Sequence, residues 1–148
     1  MEKKFRKGVG AIILNRNDEI IAFNRSDFVD NWQGIEGGME DGETPLETLY
    51  RESFEEIGLE RENFKIMKET KDFIKYILPK GSWKGYDGQE KKFYLLKIIG
   101  DFNDFKYDNT SEVEFTQYKI VTVAELLDKV PEFKRELYKK VVEEFGLK

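Results

Sequence analysis

The sequence predicts an α/β fold in which helices layer onto both faces of one sheet. Three observations carry this. One apolar run, Val9 to Leu14, is too continuous for a strand with one wet face, and further strand-like runs follow it. Two or three helical patterns are mixed in with them. The 148 residues suit one domain spanning 1–148.

Val9 to Leu14 reads as a first strand buried on both faces, and Asn15 to Asp18 as a turn. Glu19 to Asn24 is the returning strand. The segment from Asn31 to Gly42 carries glycines at 34, 37, 38 and 42 and reads as an unusual loop. A helix follows from about Thr44 to Ile57. Thr44 suits its N-cap, Pro45 its first position, Glu47 completes a capping box, and Gly58 suits a left-handed C-cap. Leu46, Leu49, Tyr50, Ser53, Phe54 and Ile57 form its expected buried stripe. Phe64–Thr70, Phe73–Leu78 and Lys91–Ile99 read as strands, with Asp87-Gly88 as a turn signal before the last. Asp101 to Ser111 reads as loop and Phe115 to Val121 as the final strand. Val123–Leu127 starts a short helix. Glu132–Phe145 forms a longer one, with Leu137, Tyr138, Val141, Val142 and Phe145 inward.

Composition removes several kinds of chemistry. Cysteine and histidine are absent, so a disulfide scaffold, a thiolate or imidazole metal site, a cysteine nucleophile and a Ser-His-Asp triad are all excluded. Acid–base work falls to carboxylates, Lys, Tyr or metal-bound water. The net charge of −5 disfavours non-specific nucleic-acid binding. However, residues 129–140 hold five Lys/Arg against two Glu, a local basic strip that can steer a polyanion. No apolar run approaches a membrane span, and the charged start leads directly into a strand-like run. The expectation is a cytoplasmic protein with no membrane role and no protein partner.

Glu52, Glu55 and Glu56 carry the most information. Their spacing puts them on one side of the helix, where like charges repel by a few tenths of a kcal/mol. A solvated glutamate face explains such a run taken alone. The surroundings favour a divalent cation with oxygen ligands and a phosphate beside it. Gly37 and Gly38 let backbone approach closely, the helix N-terminus favours anions, and Arg51 can pair with Glu43.

Gly37 to Leu59, GGMEDGETPLETLYRESFEEIGL, resembles the Nudix box of the Nudix hydrolases. The matches are Gly37, Glu43, Arg51, Glu52, Glu55, Glu56, Gly58 and Leu59. Ser53 departs from the usual aliphatic residue and predicts slightly weaker packing. Further segments are similar to bacterial RNA 5′-pyrophosphohydrolases and plant-type diadenosine tetraphosphate hydrolases: Phe5 to Gly10, Trp32-Gln33, Tyr86 to Leu95, Glu114-Phe115 and Phe133 to Arg135. Gly34-Ile35-Glu36 departs from that group, which carries an aromatic or Met, then Pro and Gln. The departure adds a charge near the site.

The resemblance implies a Nudix-type α/β/α sandwich with a central mixed sheet. It also implies hydrolysis of nucleoside polyphosphate P–O–P bonds with Mg²⁺ or Mn²⁺, two or more ions. Gly37 (by its carbonyl), Glu52, Glu55, Glu56 and Glu114 are the implied metal residues. Glu52, Glu56 and Glu114 are the implied catalytic residues, with Glu52 first choice for the base. Arg6, Arg25, Phe133 and Lys134 are implied to bind substrate, although Phe133 also fits a core aromatic. The first expectation is conversion of 5′-triphosphate RNA to 5′-monophosphate, and the alternative is diadenosine tetraphosphate hydrolysis. An inactive binding module ranks below both because all three box glutamates are present.

Overall fold

The computed structural model describes residues 3–27, 30–79, 85–102 and 104–148. Met1 and Glu2 of the charged start, and Asn103 of the polar loop, lie outside the described residues. Two long strands make the centre of the sheet: β1 (Phe5–Leu14) and β7 (Gly88–Ile98), parallel and in register from Phe5↔Gly88 to Leu14↔Lys97. The remaining strands pair antiparallel. They are β2 (Ile20–Arg25), β3 (Trp32–Gln33), β4 (Ile35–Gly38), β5 (Phe64–Glu69), β6 (Ile74–Ile77) and β8 (Phe115–Val121). The sheet is therefore mixed.

Each central strand divides its outer edge between two partners. Gly8–Ala11 of β1 pair with β4, whereas Ile13 and Leu14 pair with β2. On β7, residues 88–91 pair with β6 and 94–98 with β5. The sheet forks at both ends, and the fork beside β4 opens the space used by the candidate site.

The alternation of β1 and β7 supplies two cores. Val9, Ala11 and Ile13, with Tyr94, Leu96 and Ile98, face α1 (Pro45–Ile57) and bury Leu49, Ile57, Leu59, Phe23 and Phe115. Ile12, Leu14, Phe93 and Leu95 face α2 (Val123–Lys129) and α3 (Arg135–Phe145), burying Leu126, Leu137, Tyr138, Val141, Val142 and Phe145. Buried large apolar side chains contribute roughly 1.5–3 kcal/mol each in transfer terms, so both helical layers are anchored by the same two strands. Among the described residues no helix is long and apolar enough to cross a membrane.

α1 forms for the reasons its sequence gives. The Thr44 hydroxyl accepts from the Glu47 N–H, and the Glu47 carboxylate accepts from the Thr44 N–H. At the other end Gly58 adopts φ 70°, and its N–H returns to the Phe54 carbonyl.

Some expectations need correction. The glycine-rich segment is not wholly loop, because β3 and β4 lie within it and β4 completes β1. β7 begins at Gly88 rather than Lys91. Asp87-Gly88 does not close a tight hairpin: β6 ends at Ile77, and the Asp87 N–H bonds the Lys4 carbonyl beside β1. The long C-terminal helix starts at Arg135 after a 3₁₀ turn over Glu132–Lys134. The α1 stripe is narrower than expected. Leu46 and Phe54 are 41% and 43% exposed, while Thr48, Leu49, Ser53, Glu56 and Ile57 face inward. Ser53 is fully buried, and its hydroxyl has no partner among the described residues, which costs some of the stability an aliphatic side chain would give there.

This asymmetry is measurable. Leu49→Ala removes a fully buried side chain and should cost about 3 kcal/mol in urea unfolding. Leu46→Ala should cost less than about 1 kcal/mol. Equal losses at the two positions would contradict the orientation of α1.

Candidate active site

The site is built where α1 crosses the glycine end of β4. A side chain at Gly37 would overlap the Glu52 carboxyl group, and one at Gly38 would overlap the Arg6 guanidinium. The two glycines let a carboxylate and a cation approach the same short strand.

Arg51 fastens the helix to that strand. Its Nε donates to Glu43 Oε2 (2.7 Å), and its Nη2 donates to Glu43 Oε1 and to the Gly38 carbonyl (both 2.9 Å). Nη1 donates to Glu52 (2.8 Å) and Glu55 (3.1 Å). Glu43 also accepts from the Glu40 N–H and the Thr48 hydroxyl. The Arg51 bond, assisted by these neighbours, holds the Glu43 carboxyl down at about 2 despite some burial. The Glu43–Arg51 pairing read from the sequence is therefore present.

Glu56 is different. It is 5% exposed, and neither carboxylate oxygen has a hydrogen-bond partner among the described residues. Burial, then the neighbouring charges of Glu114 and Glu52, push its carboxyl well above the usual range. Burial also raises Glu52, against the opposing pull of the Arg51 guanidinium. Glu52, Glu55, Glu56 and Glu114 border one cavity of about 210 Å³, together with Arg51, Thr110 and Glu112. Among the described residues no three of these acids already converge as a cation cage. Arg51 instead holds Glu52 and Glu55. The donor set still fits a hard divalent cation. It is all oxygen, it is crowded with like charge, and it includes an orphaned buried carboxylate.

A second cavity of about 320 Å³ adjoins it, sharing Arg51, Glu52 and Glu114. Its other walls include Arg6, Arg25, Gln33, Glu36, Gly37, Gln89, Lys91 and Lys134. Arg25 forms a two-point pair with Asp27, at 2.9 and 2.7 Å. Lys134 is buried in the turn before α3. Phe133 is absent from the described lining. Its half-buried ring lies 6.4 Å from that of Tyr76 and packs on the α3-side core, with the Lys134 ammonium 5.8 Å from its centre.

Sequence reading missed several residues here. Lys91 donates to Glu36 Oε1 at 2.7 Å and is 5% exposed. Lys134 approaches Glu36 Oε2 at 3.3 Å and Gln33 at 3.4 Å. The Tyr138 hydroxyl donates to Glu36 Oε2 at 2.7 Å and accepts from the Gly34 N–H. Although burial opposes it, the two ammonium groups draw the Glu36 carboxyl down to about 2. Burial brings Lys134 down to about 8, against the pull of Glu36. A signal for Lys91 existed, since it shares a strand face with Phe93 and Leu95, where a lysine is out of place. Glu112 gave no such signal, because its loop carries no periodicity.

Comparisons with known proteins agree with this geometry. The NUDIX domain model matches residues 4–141. The chain is 41% identical to an RNA pyrophosphohydrolase of a Nitratiruptor species, covering 98% of this chain and 96% of that protein. It is 35% identical to an RNA pyrophosphohydrolase of Shewanella denitrificans, covering 96% and 85%. Among solved structures it is similar to a C. elegans Ap4A hydrolase binary complex (TM-score 0.67, 17% identity, 95% and 98% covered). It is also similar to the E. coli dihydroneopterin triphosphate pyrophosphohydrolase (TM-score 0.71, 15% identity, 96% and 99% covered). At those identities the structural likeness is one of fold. The match over nearly the whole chain, and the full-length relatives above 30% identity, mean that this chain belongs to the NUDIX family.

Proposed function

We propose that the chain works as one catalytic domain that hydrolyses P–O–P bonds of 5′-triphosphate RNA, leaving a 5′-monophosphate end. The observation that carries the reaction type is Glu56, a buried carboxylate with two unpartnered oxygens beside Glu52 and Glu114. The RNA substrate is supported by the names of the full-length relatives. Such a substrate suits a cytoplasmic enzyme.

Nudix hydrolases generally need divalent metal ions. We assign Mg²⁺ or Mn²⁺ here, two or more ions, held by Glu52, Glu55, Glu56, Glu114 and the Gly37 carbonyl. Bound cations would neutralise phosphate oxygens and acidify water. The protein's own contributions follow from its geometry. Arg51 keeps Glu52 and the glycine strand in fixed relation. Glu52, packed on Gly37, takes the proton of the attacking water at its carboxylate. Arg6, Arg25 and Lys134 border the adjoining cavity and hold the polyphosphate in line. No covalent nucleophile is required.

The direct test is side-by-side turnover of triphosphorylated RNA and diadenosine tetraphosphate with Mg²⁺. The RNA should be the better substrate by kcat/KM. A dinucleotide rate well above the RNA rate would transfer the assignment to dinucleoside polyphosphate hydrolysis.

Glu56→Gln should lower kcat by about 100-fold or more with the circular dichroism spectrum unchanged. Wild-type turnover in that variant would remove Glu56 from the reaction. Gly37→Ala forces Glu52 from its place and should lower kcat by about tenfold or more, as read in steady-state kinetics.

A further inference from the structure

The buried cluster on the wall of the larger cavity has an unequal charge count. Lys91 and Lys134 bring two positive charges, and Glu36 supplies one negative charge between them. All three residues are at most 7% exposed, yet all border the cavity. Both Glu36 oxygens are engaged, Oε1 by Lys91 and Oε2 by Lys134 and Tyr138. The neighbouring Arg25 is matched by Asp27. One positive charge in the buried trio is thus left for a ligand, and in a poorly solvated wall that surplus is costly until an anion meets it.

We infer that Glu36 is a specificity-determining residue which, through Lys91 and Lys134, sets this wall to accept a singly charged, doubly esterified phosphoryl group in preference to a doubly charged terminal phosphate. The inference rests on the polyphosphate reading above and adds to it which end of the chain this wall takes. An internal phosphoryl group carries one negative charge. A terminal one carries nearly two at neutral pH, since its second ionisation lies near pH 6. With Glu36 in place, a doubly charged group held by these two lysines is left one negative charge in excess. Without its charge, the lysines face the ligand with no carboxylate between them; Lys134, already brought down by burial, then holds its proton less firmly, a doubly charged ligand favours its protonated form, and the preference shifts toward that ligand. Glu36 touches no substrate in this account. It acts by positioning and part-neutralising the two lysines.

The test is equilibrium competition at about pH 7, below the ionisation of Lys134 and above that of the probe, with Mg²⁺ and with adenosine 5′-monophosphate and its methyl ester as probes. The two differ by one charge on the same phosphorus. Glu36→Gln should tighten the monophosphate relative to the ester by about tenfold compared with wild type. Lys134→Gln should move the ratio the opposite way. The double variant Glu36→Gln/Lys134→Gln removes one charge of each sign and should return to the wild-type ratio. A purely structural role would weaken both probes alike and leave the ratio fixed. If Glu36→Gln proves unstable, the double variant set against Lys134→Gln decides the matter. A ratio unmoved in Glu36→Gln, or a double variant whose ratio departs from the wild-type value, overturns the inference. If wild type binds neither probe, the polyphosphate reading fails first and this inference with it.

Discussion

The guanidinium of Arg51 is the contact on which the site's organisation depends. It bridges a loop carboxylate, a strand carbonyl and two carboxylates of its own helix, so a single side chain fixes α1 against β4. Charge-assisted bonds of this kind contribute roughly 1.5–3 kcal/mol each when partly buried. Their larger effect is geometric. Glu52 and Glu55 repel each other and Glu56, and a helix carrying them has reason to shift outward. Arg51 pairs with two of the three and shares its one charge between them and Glu43, and Glu56, the most buried, has no basic partner among the described residues. That division separates the part of the acidic cluster that the fold itself stabilises from the part left for a ligand.

The forked sheet explains why this happens here. β1 serves two partners along its length: β4 leaves it at Ile35 where β2 takes over, and the other end of β4, beside Gly8 and Val9, is two glycines. Backbone is bare on that edge, which lets a carboxylate approach from the α1 side and a guanidinium from the other. The strands that create the fork also carry both cores, so the site lies on the best anchored part of the molecule. A glycine strand on a mobile loop would not hold Glu52 to the tolerance that in-line displacement demands.

The legible parts of the sequence were those governed by local rules. The α1 caps, the Glu43–Arg51 pair, the glutamate trio and the two-faced burial of β1 could be read because each depends on residues a few positions apart. β4 was hidden because its glycines suggest loop, and its strand character comes only from pairing with β1. Phe54 and Leu46 were misplaced because the inward face of α1 is set by Thr48, Ser53 and Glu56, polar residues that a hydrophobic pattern ignores. Phe133 fits two roles by type, and the sequence could not show that its ring packs on Tyr76 while it sits beside Lys134. The Glu36 cluster joins residues 55 to 102 positions apart, and no spacing rule connects them.

The site thus divides charge by location. Glu55 and Glu56 form one bank, and Arg6, Arg25, Lys91 and Lys134 form the other, with Arg51, Glu52 and Glu114 on the boundary. A polyphosphate needs both banks, because its oxygens attract cations while its leaving group and attacking water need acid–base partners. Direct contact between the banks would let them pair internally and cancel. Two features limit it. Arg51 is committed to the helix and the loop, and Glu36 occupies the lysines with a single buried carboxylate that leaves them one charge in excess. The chain therefore lines one cavity with side chains of both signs, and the buried ones, Glu36, Lys91 and Lys134, are held by one another rather than by solvent.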